Sequence, residues 1–138
     1  FGFNSSFDLP LVSGKSTYPT NISNDLAATA LTGFGQGNVR ATPLQMAMVS
    51  AGVANDGTVM YPRMIDRITG ADLSVIKEFD NQVYSKVLDH DLDSQLVQMM
   101  VDDVEASGGA ASNAAIPGVQ VAGKTGTAQN GEDQPYTL

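Results

Sequence analysis

One helix constrains the fold of this chain more than any other feature, because it is apolar on every side. Residues 42–45, TPLQ, fit a capping box in which Thr42 is the N-cap, proline takes the first helical position and Gln45 reaches back. The QMAMVSAGVA that follows is small or apolar on all faces, and residues 55–57, NDG, end it. Such a helix must be enclosed by other elements, and 138 residues supply few of them. We therefore expect the chain to be unstable alone, or to be completed by further polypeptide.

Composition excludes several classes of function. The net charge of -8 argues against binding to nucleic acid, whose phosphates require clustered Lys and Arg. The longest nearly unbroken apolar run, about residues 46–54, is far shorter than the ~18 residues of a membrane span. The absence of cysteine excludes disulfides and thiolate metal sites, and a single histidine, His90, argues against a His-rich metal site or a His-based triad.

The rest of the chain predicts short elements separated by glycine and proline. Residues 1–25 are typical of an ordered loop, and the glycines of residues 33–37 would break any helix or strand. A second helix is predicted from about Ser94 to Ala106, with Asp93 as its cap and Gly108 after its end. The strands are predicted at 58–61, 64–69, 73–79 and 119–122.

Three motifs match known sites by letter but not by context. Residues 118–125 match the phosphate loop G-x-x-x-x-G-K-[ST], yet the predicted strand occupies the variable positions and no helical pattern follows. Residues 89–93, DHDLD, begin like a calcium loop but lack its later glycine and glutamate, which favours a polar turn and helix cap. Ser74 and Lys77 form S-x-x-K, but on an alternating strand their side chains point to opposite faces.

The remaining motif is Lys124-Thr125-Gly126-Thr127. Lys124 is the only Lys or Arg after Lys86, whereas eight acidic residues lie within residues 87–138. An isolated cation flanked by hydroxyls, and by glycines that permit close approach, suits a carboxylate ligand. Composition alone leaves open a plain edge strand with a solvated lysine.

A resemblance to a known family decides between these alternatives. KTGTAQ at residues 124–129 is similar to the third signature of the penicillin-binding proteins. GQG at 35–37 with ATPLQMA at 41–47, and the opening FGF with Leu9-Pro10, agree with it in order and spacing. The pattern spans nearly the whole chain and resembles the transpeptidase domain of the class B, monofunctional enzymes. It implies an α/β (α+β) fold, part of the penicillin-binding protein and serine β-lactamase-like architecture, with an antiparallel sheet flanked by helices.

The resemblance also implies the roles of the motif. Lys124 would lie in the catalytic cleft, contribute positive potential and assist proton transfer. Thr125 and Thr127 would bind the terminal carboxylate of D-Ala-D-Ala, and the backbone N–H of Thr127 would be an oxyanion-hole donor. Gly126, like Gly123, would let the substrate lie against the strand. No metal or cofactor is implied.

The chain carries only one of the family's three catalytic motifs, KTG. The nucleophile motif S-x-x-K and the S-x-N motif are expected before the FGF segment, and further strands and a final helix are expected after KTG. We therefore expect residues 1–138 to be a partial transpeptidase domain of a cross-linking enzyme, inactive by itself. A penicillin-sensing or catalytically dead scaffold domain is the alternative. A β-lactamase or D,D-carboxypeptidase is disfavoured by the GQG and ATPLQMA pair.

Partners and location follow from the resemblance alone. The expected partners are peptidoglycan stem peptides, β-lactams, the rest of the transpeptidase domain and a lipid II polymerase. The expected location is the extracytoplasmic face of the cell membrane, where an N-terminal helix outside this chain anchors the parent protein.

Overall fold

The computed structural model describes residues 1–126, which form two compact units. One unit comprises Phe1–Pro19 and Val39–Leu88, and the other comprises Thr20–Asn38 and the chain from Asp89 onward. The helices and strands, in chain order, are α1 (Leu26–Thr32), α2 (Pro43–Ala54), β1 (Thr58–Met60), β2 (Arg67–Thr69), β3 (Val75–Glu78), β4 (Val83–Lys86) and α3 (His90–Glu105), followed by a 3-10 turn at Ser112–Ala114. This mixture of helices and small antiparallel sheets confirms the predicted fold class.

The first unit is built on helix α2 and the β1–β4 pair. The two strands are antiparallel, with Val59 opposite Ser85. Val59 is 1% exposed and packs on Gly52 of α2, where an added Cβ would lie 2.8 Å from its Cγ2 atom. Glycine at position 52 therefore lets the helix approach the strand closely. Met48 and Val53 complete the buried side of α2.

The prediction that α2 is enclosed on all sides is not met by the described residues. One side is buried, whereas Met46 on another side is 50% exposed. Within residues 1–126, α2 packs on β1, and Phe1 also lies against Gly52 and accepts from Gln45. Part of the apolar surface of α2 therefore remains exposed. The sequence pattern led us to expect this for a helix that further polypeptide would enclose.

Only one of the two hydrogen bonds of the predicted capping box forms at the start of α2. Thr42 Oγ1 accepts from the Gln45 N–H at 3.2 Å, as a capping box requires. Gln45 does not reach back, however, because its Nε2 donates to the Phe1 carbonyl instead. The Thr42 N–H donates to Ser16 Oγ at 3.0 Å, so the loop of residues 1–25 supplies the second half of the cap.

Removal of this cap should destabilise the protein measurably. We expect Thr42→Ala to lower the free energy of unfolding by about 1 kcal/mol, because the Gln45 N–H loses its acceptor. Thr42→Ser keeps the hydroxyl and should stay close to wild type. Urea denaturation of the two variants measures the difference, and equal stability of the alanine and serine variants would contradict the capping role.

The β2–β3 hairpin is also antiparallel, with Ile68 opposite Lys77. Ser74 precedes β3, and its hydroxyl donates to Asp72 Oδ1 at 2.6 Å, which together with the Ser74 backbone N–H holds the pKa of Asp72 below its usual value. Lys77 Nζ lies 4.5 Å from the centroid of the Phe79 ring. The hydroxyl and the amine therefore have separate partners, which agrees with the rejection of S-x-x-K at this place.

The second unit contains helices α1 and α3. Helix α1 was not predicted, although Asp25 caps it by accepting from the Ala28 N–H at 2.9 Å and Gly33 follows its last residue. Helix α3 begins at His90, four residues earlier than predicted, because Asp89 is its N-cap. Asp93 is instead a buried residue of the first turn.

One strand was not predicted, and one predicted strand is absent. Strand β4 was missed, since its VYSK sequence does not alternate clearly. The strand predicted at 119–122 does not form. Val119 makes an isolated antiparallel bridge with Ile116, and residues 120–126 have no regular secondary structure.

Candidate functional site

The candidate site begins at the end of α3, where the chain turns back. Asp103 accepts two hydrogen bonds from this turn, one from the Ala110 N–H to its Oδ1 atom at 3.2 Å and one from the Ala111 N–H to its backbone carbonyl at 3.0 Å. Gly109 is needed here because an added Cβ would collide with the Asp103 carbonyl. The turn that follows α3 is thus tied directly to the helix.

The returning chain then lies along α3. The Val121 N–H donates to Glu105 Oε1 at 3.0 Å, and the Gly123 N–H donates to the Met100 carbonyl at 3.0 Å. An added Cβ at Gly123 would lie 3.1 Å from Val104 Cγ2, so glycine permits the close approach to the helix. These contacts fix the backbone immediately before Lys124.

Lys124 places its ammonium beside a hydroxyl and near a carboxylate. Its Nζ donates to Thr125 Oγ1 at 3.1 Å and to the Thr125 carbonyl at 3.0 Å, and lies 3.8 Å from Asp103 Oδ2. The Lys124 side chain is 69% exposed. A solvent-accessible ammonium adjacent to a hydroxyl donor is suited to binding a carboxylate.

The structure brings together two of the predicted site residues. Lys124 and Thr125 are in hydrogen-bond contact. Gly126 is exposed, and an added Cβ there would meet nothing within 4 Å, so the fold of the described chain does not itself require glycine at this position. The predictions for Thr127 lie outside the described residues.

Sequence reasoning missed two acidic residues that organise the site, Asp103 and Glu105. A signal was present, because both lie in the last turns of a helix, where a negative charge opposes the helix dipole. Acidic side chains at the end of a helix are therefore expected to make other, stabilising contacts. Here the Glu105 carboxylate accepts a hydrogen bond from the Val121 N–H, and the Asp103 carboxylate faces the ammonium of Lys124.

The local contacts also argue against a phosphate loop. That motif uses free backbone N–H groups to cradle phosphates. Within residues 118–125, the N–H groups of Val121 and Gly123 already donate to helix α3. Across residues 1–126, moreover, no group of three or more histidine or acidic side chains is arranged to hold a metal ion.

None of the helices within residues 1–126 is both long enough and apolar enough to cross a membrane.

Comparison with known sequences assigns the whole chain to one family. Residues 1–137 match the family model described as the penicillin binding protein transpeptidase domain. The chain is 36% identical over 129 residues to peptidoglycan D,D-transpeptidase PbpA of Mycolicibacterium smegmatis, a match that covers 94% of this chain and 25% of that protein. It is 35% identical over 99 residues to peptidoglycan D,D-transpeptidase MrdA of Acinetobacter baumannii, covering 70% of this chain and 14% of that protein.

Solved structures agree. The imipenem acyl-enzyme complex of penicillin-binding protein A from M. tuberculosis superimposes with a TM-score of 0.80 at 34% identity, covering 94% of this chain and 29% of that one. The D,D-transpeptidase domain of a peptidoglycan glycosyltransferase from Eggerthella lenta gives a TM-score of 0.76 at 30% identity, covering 94% of this chain and 34% of that one.

The family match therefore covers nearly all of this chain but only part of its relatives. The chain spans 25% of the length of the M. smegmatis protein and 22% of that of its M. tuberculosis counterpart. The family predicted from KTGTAQ, GQG and ATPLQMA is confirmed. This chain belongs to the penicillin-binding protein transpeptidase domain family.

Proposed function

We propose that this chain is the KTG-bearing part of a peptidoglycan D,D-transpeptidase that cross-links stem peptides and is acylated by β-lactams. The observation that carries the proposal is the exposed Lys124 ammonium beside the Thr125 hydroxyl, an arrangement that suits the terminal carboxylate of D-Ala-D-Ala or of a β-lactam. Relatives named as peptidoglycan D,D-transpeptidases, and a neighbour captured as an imipenem acyl-enzyme, support it.

In the proposed reaction, a serine outside residues 1–138 attacks the carbonyl of the penultimate D-alanine. The terminal D-alanine leaves as an amine, and the acyl group then passes from the serine to an amine of a second strand. Lys124 holds the substrate carboxylate and assists proton transfer near that serine. Thr125 and Thr127 add hydrogen bonds to the carboxylate, and the Thr127 N–H stabilises the oxyanion. Gly126 leaves room for the peptide backbone.

Under this proposal, residues 1–138 supply only part of the catalytic groups of the complete polypeptide. Residues 1–138 contribute the carboxylate-binding part of a transpeptidase domain, and the nucleophile motif, the S-x-N motif and the last strands and helix come from elsewhere in the complete polypeptide. That polypeptide works on the extracytoplasmic face of the cell membrane, anchored by an N-terminal helix. A lipid II polymerase is its proposed partner.

The decisive experiment exposes the complete polypeptide to a penicillin and measures its intact mass. We expect an increase equal to one penicillin molecule, with the adduct mapped to a serine outside residues 1–138. Absence of an adduct would contradict the proposal and favour a catalytically dead scaffold, and an adduct within residues 1–138 would contradict the assigned division of labour.

A second measurement separates an enzyme from a sensor. The complete polypeptide is incubated with a peptide ending in D-Ala-D-Ala and with a D-amino acid as acceptor. We expect release of D-alanine together with formation of the exchanged peptide. Acylation by penicillin without this exchange would contradict the transpeptidase activity and support a penicillin-sensing domain.

A further inference from the structure

We propose that Asp103 is a positioning residue for the reaction, which holds the Lys124 ammonium in the carboxylate-binding site. This proposal rests on the proposed function and names a residue outside the KTG motif. Asp103 lies in α3 and reaches Lys124 across the turn that follows the helix, with 3.8 Å between its Oδ2 atom and Lys124 Nζ.

The Asp103 carboxylate is held rigidly by its own contacts. Its backbone is part of α3, and its carbonyl accepts from the Ala111 N–H at 3.0 Å. Its Oδ1 atom accepts from the Ala110 N–H at 3.2 Å, which fixes the rotation of the carboxylate. The Oδ2 atom has no hydrogen-bond donor of this kind within residues 1–126.

The burial of Oδ2 identifies its partner. The Asp103 side chain is 20% exposed, and Oδ2 is buried without a hydrogen-bond donor among the described residues. A buried carboxylate oxygen is costly unless a positive charge compensates it. The ammonium at 3.8 Å is a cation placed to do so.

The mobility of lysine explains why such an anchor would matter. The ammonium sits on a flexible four-carbon stem with freely rotating bonds, and Lys124 is largely exposed. A fixed negative charge on one side and Thr125 on the other limit the orientations that the amine samples. Because the Lys124 end of the ion pair is 69% exposed, the pair adds little to stability, and the main effect should lie in reaction rate.

The test compares two neighbouring aspartates in the complete polypeptide. Asp103→Asn retains an oxygen to accept from the Ala110 N–H and replaces the charged Oδ2 with a neutral amide NH2 group. Asp102→Asn is the matched control, since it removes the same charge one residue earlier on α3, where Asp102 is exposed and accepts from Gln98 Nε2 at 2.9 Å. Asp103→Glu restores the charge and tests rescue.

The first readout is the rate constant for acylation by a fluorescent penicillin, separated from its binding constant by a concentration series. We expect Asp103→Asn to slow acylation about tenfold, Asp102→Asn to change it less than about twofold, and Asp103→Glu to recover most of the loss. The melting temperatures of the three variants should agree with wild type. Equal acylation by Asp103→Asn and Asp102→Asn would overturn the proposal, as would faster acylation by Asp103→Asn.

The second readout does not depend on penicillin. The rate at which an amine-acylating reagent modifies Lys124 is followed by peptide mass spectrometry. We expect Asp103→Asn to raise this rate about threefold and Asp102→Asn to leave it unchanged, because the variant loses the ion pair that restrains the amine. If wild type is not acylated by penicillin, the proposed function fails, yet this rate still decides whether Asp103 holds Lys124. Equal labelling in the two variants would overturn that contact.

Discussion

Replacing Lys124 with alanine is expected to slow acylation of the complete polypeptide by penicillin about 10³-fold, within the range that a positioned proton-transfer group contributes. The reason is that two functions disappear together. Under the proposed function, the variant loses the ammonium that would meet the ligand carboxylate, and it loses the group that would assist proton transfer near the nucleophile. Thr125 keeps its hydroxyl, but one neutral donor replaces little of a charged one.

The control for this prediction is Lys77→Ala. It removes the same charge from the β2–β3 hairpin, where Lys77 lies over the Phe79 ring. We expect its acylation rate to stay within about twofold of wild type, because an exposed charge outside the site contributes little. Acylation is measured by quenching a reaction with fluorescent penicillin at successive times and quantifying the labelled band. An equal effect of the two substitutions would refute the role of Lys124 in the site.

The sequence predicted those parts of the fold that local chemistry determines. Helix α2 begins at Pro43 after Thr42 and ends before residues 55–57, as the capping and glycine signals required. Helix α3 covers almost all of the second helix predicted at about Ser94 to Ala106, and its Val101 and Val104 are buried. Local signals of this kind act over one or two turns, so a single sequence contains them in full.

The failures concern groups that choose between a local and a distant partner. Gln45 donates to Phe1, far away in the sequence, and not to its own helix cap. Asp89 caps α3 in preference to Asp93, which is buried in the first turn instead. Either aspartate satisfies the local rule for a cap, and packing of the folded chain decides between them.

The residues of the candidate site also fall into two groups: those that a local motif identifies and those whose role depends on a contact distant in sequence. Lys124 and Thr125 were identified because their charge, hydroxyl and neighbouring glycines form one short motif. Asp103 and Glu105 were missed because their role depends on a turn that folds residues 121–124 back along α3. The same turn explains why the strand predicted at 119–122 is absent, since the Val121 N–H within it and the Gly123 N–H just after it donate to the helix.

A large loss of stability is expected when Gly57 is replaced with alanine. This residue has a φ of +70°, a conformation that costs an L-residue about 1–2 kcal/mol. An added Cβ would also lie 2.5 Å from the Leu88 carbonyl oxygen and 2.7 Å from the Leu88 Cβ, and backbone atoms cannot move aside easily. The Gly57 carbonyl accepts from the Val87 N–H at 2.8 Å, so any shift of this turn disturbs the end of β4.

We therefore expect Gly57→Ala to lower the free energy of unfolding of the complete polypeptide by about 3 kcal/mol, the sum of the backbone penalty and the overlap. Gly35→Ala is the matched control, because Gly35 has a φ of +77° but an added Cβ meets nothing within 4 Å. It should lose only the backbone penalty, about 1 kcal/mol. Gly57→Asn separates the two causes, since asparagine tolerates a positive φ yet still carries the Cβ. Urea denaturation gives the three values. If Gly57→Ala and Gly35→Ala are equally destabilising, the contact with Leu88 does not limit this turn; if Gly57→Asn remains as unstable as Gly57→Ala, the overlap with Leu88 dominates.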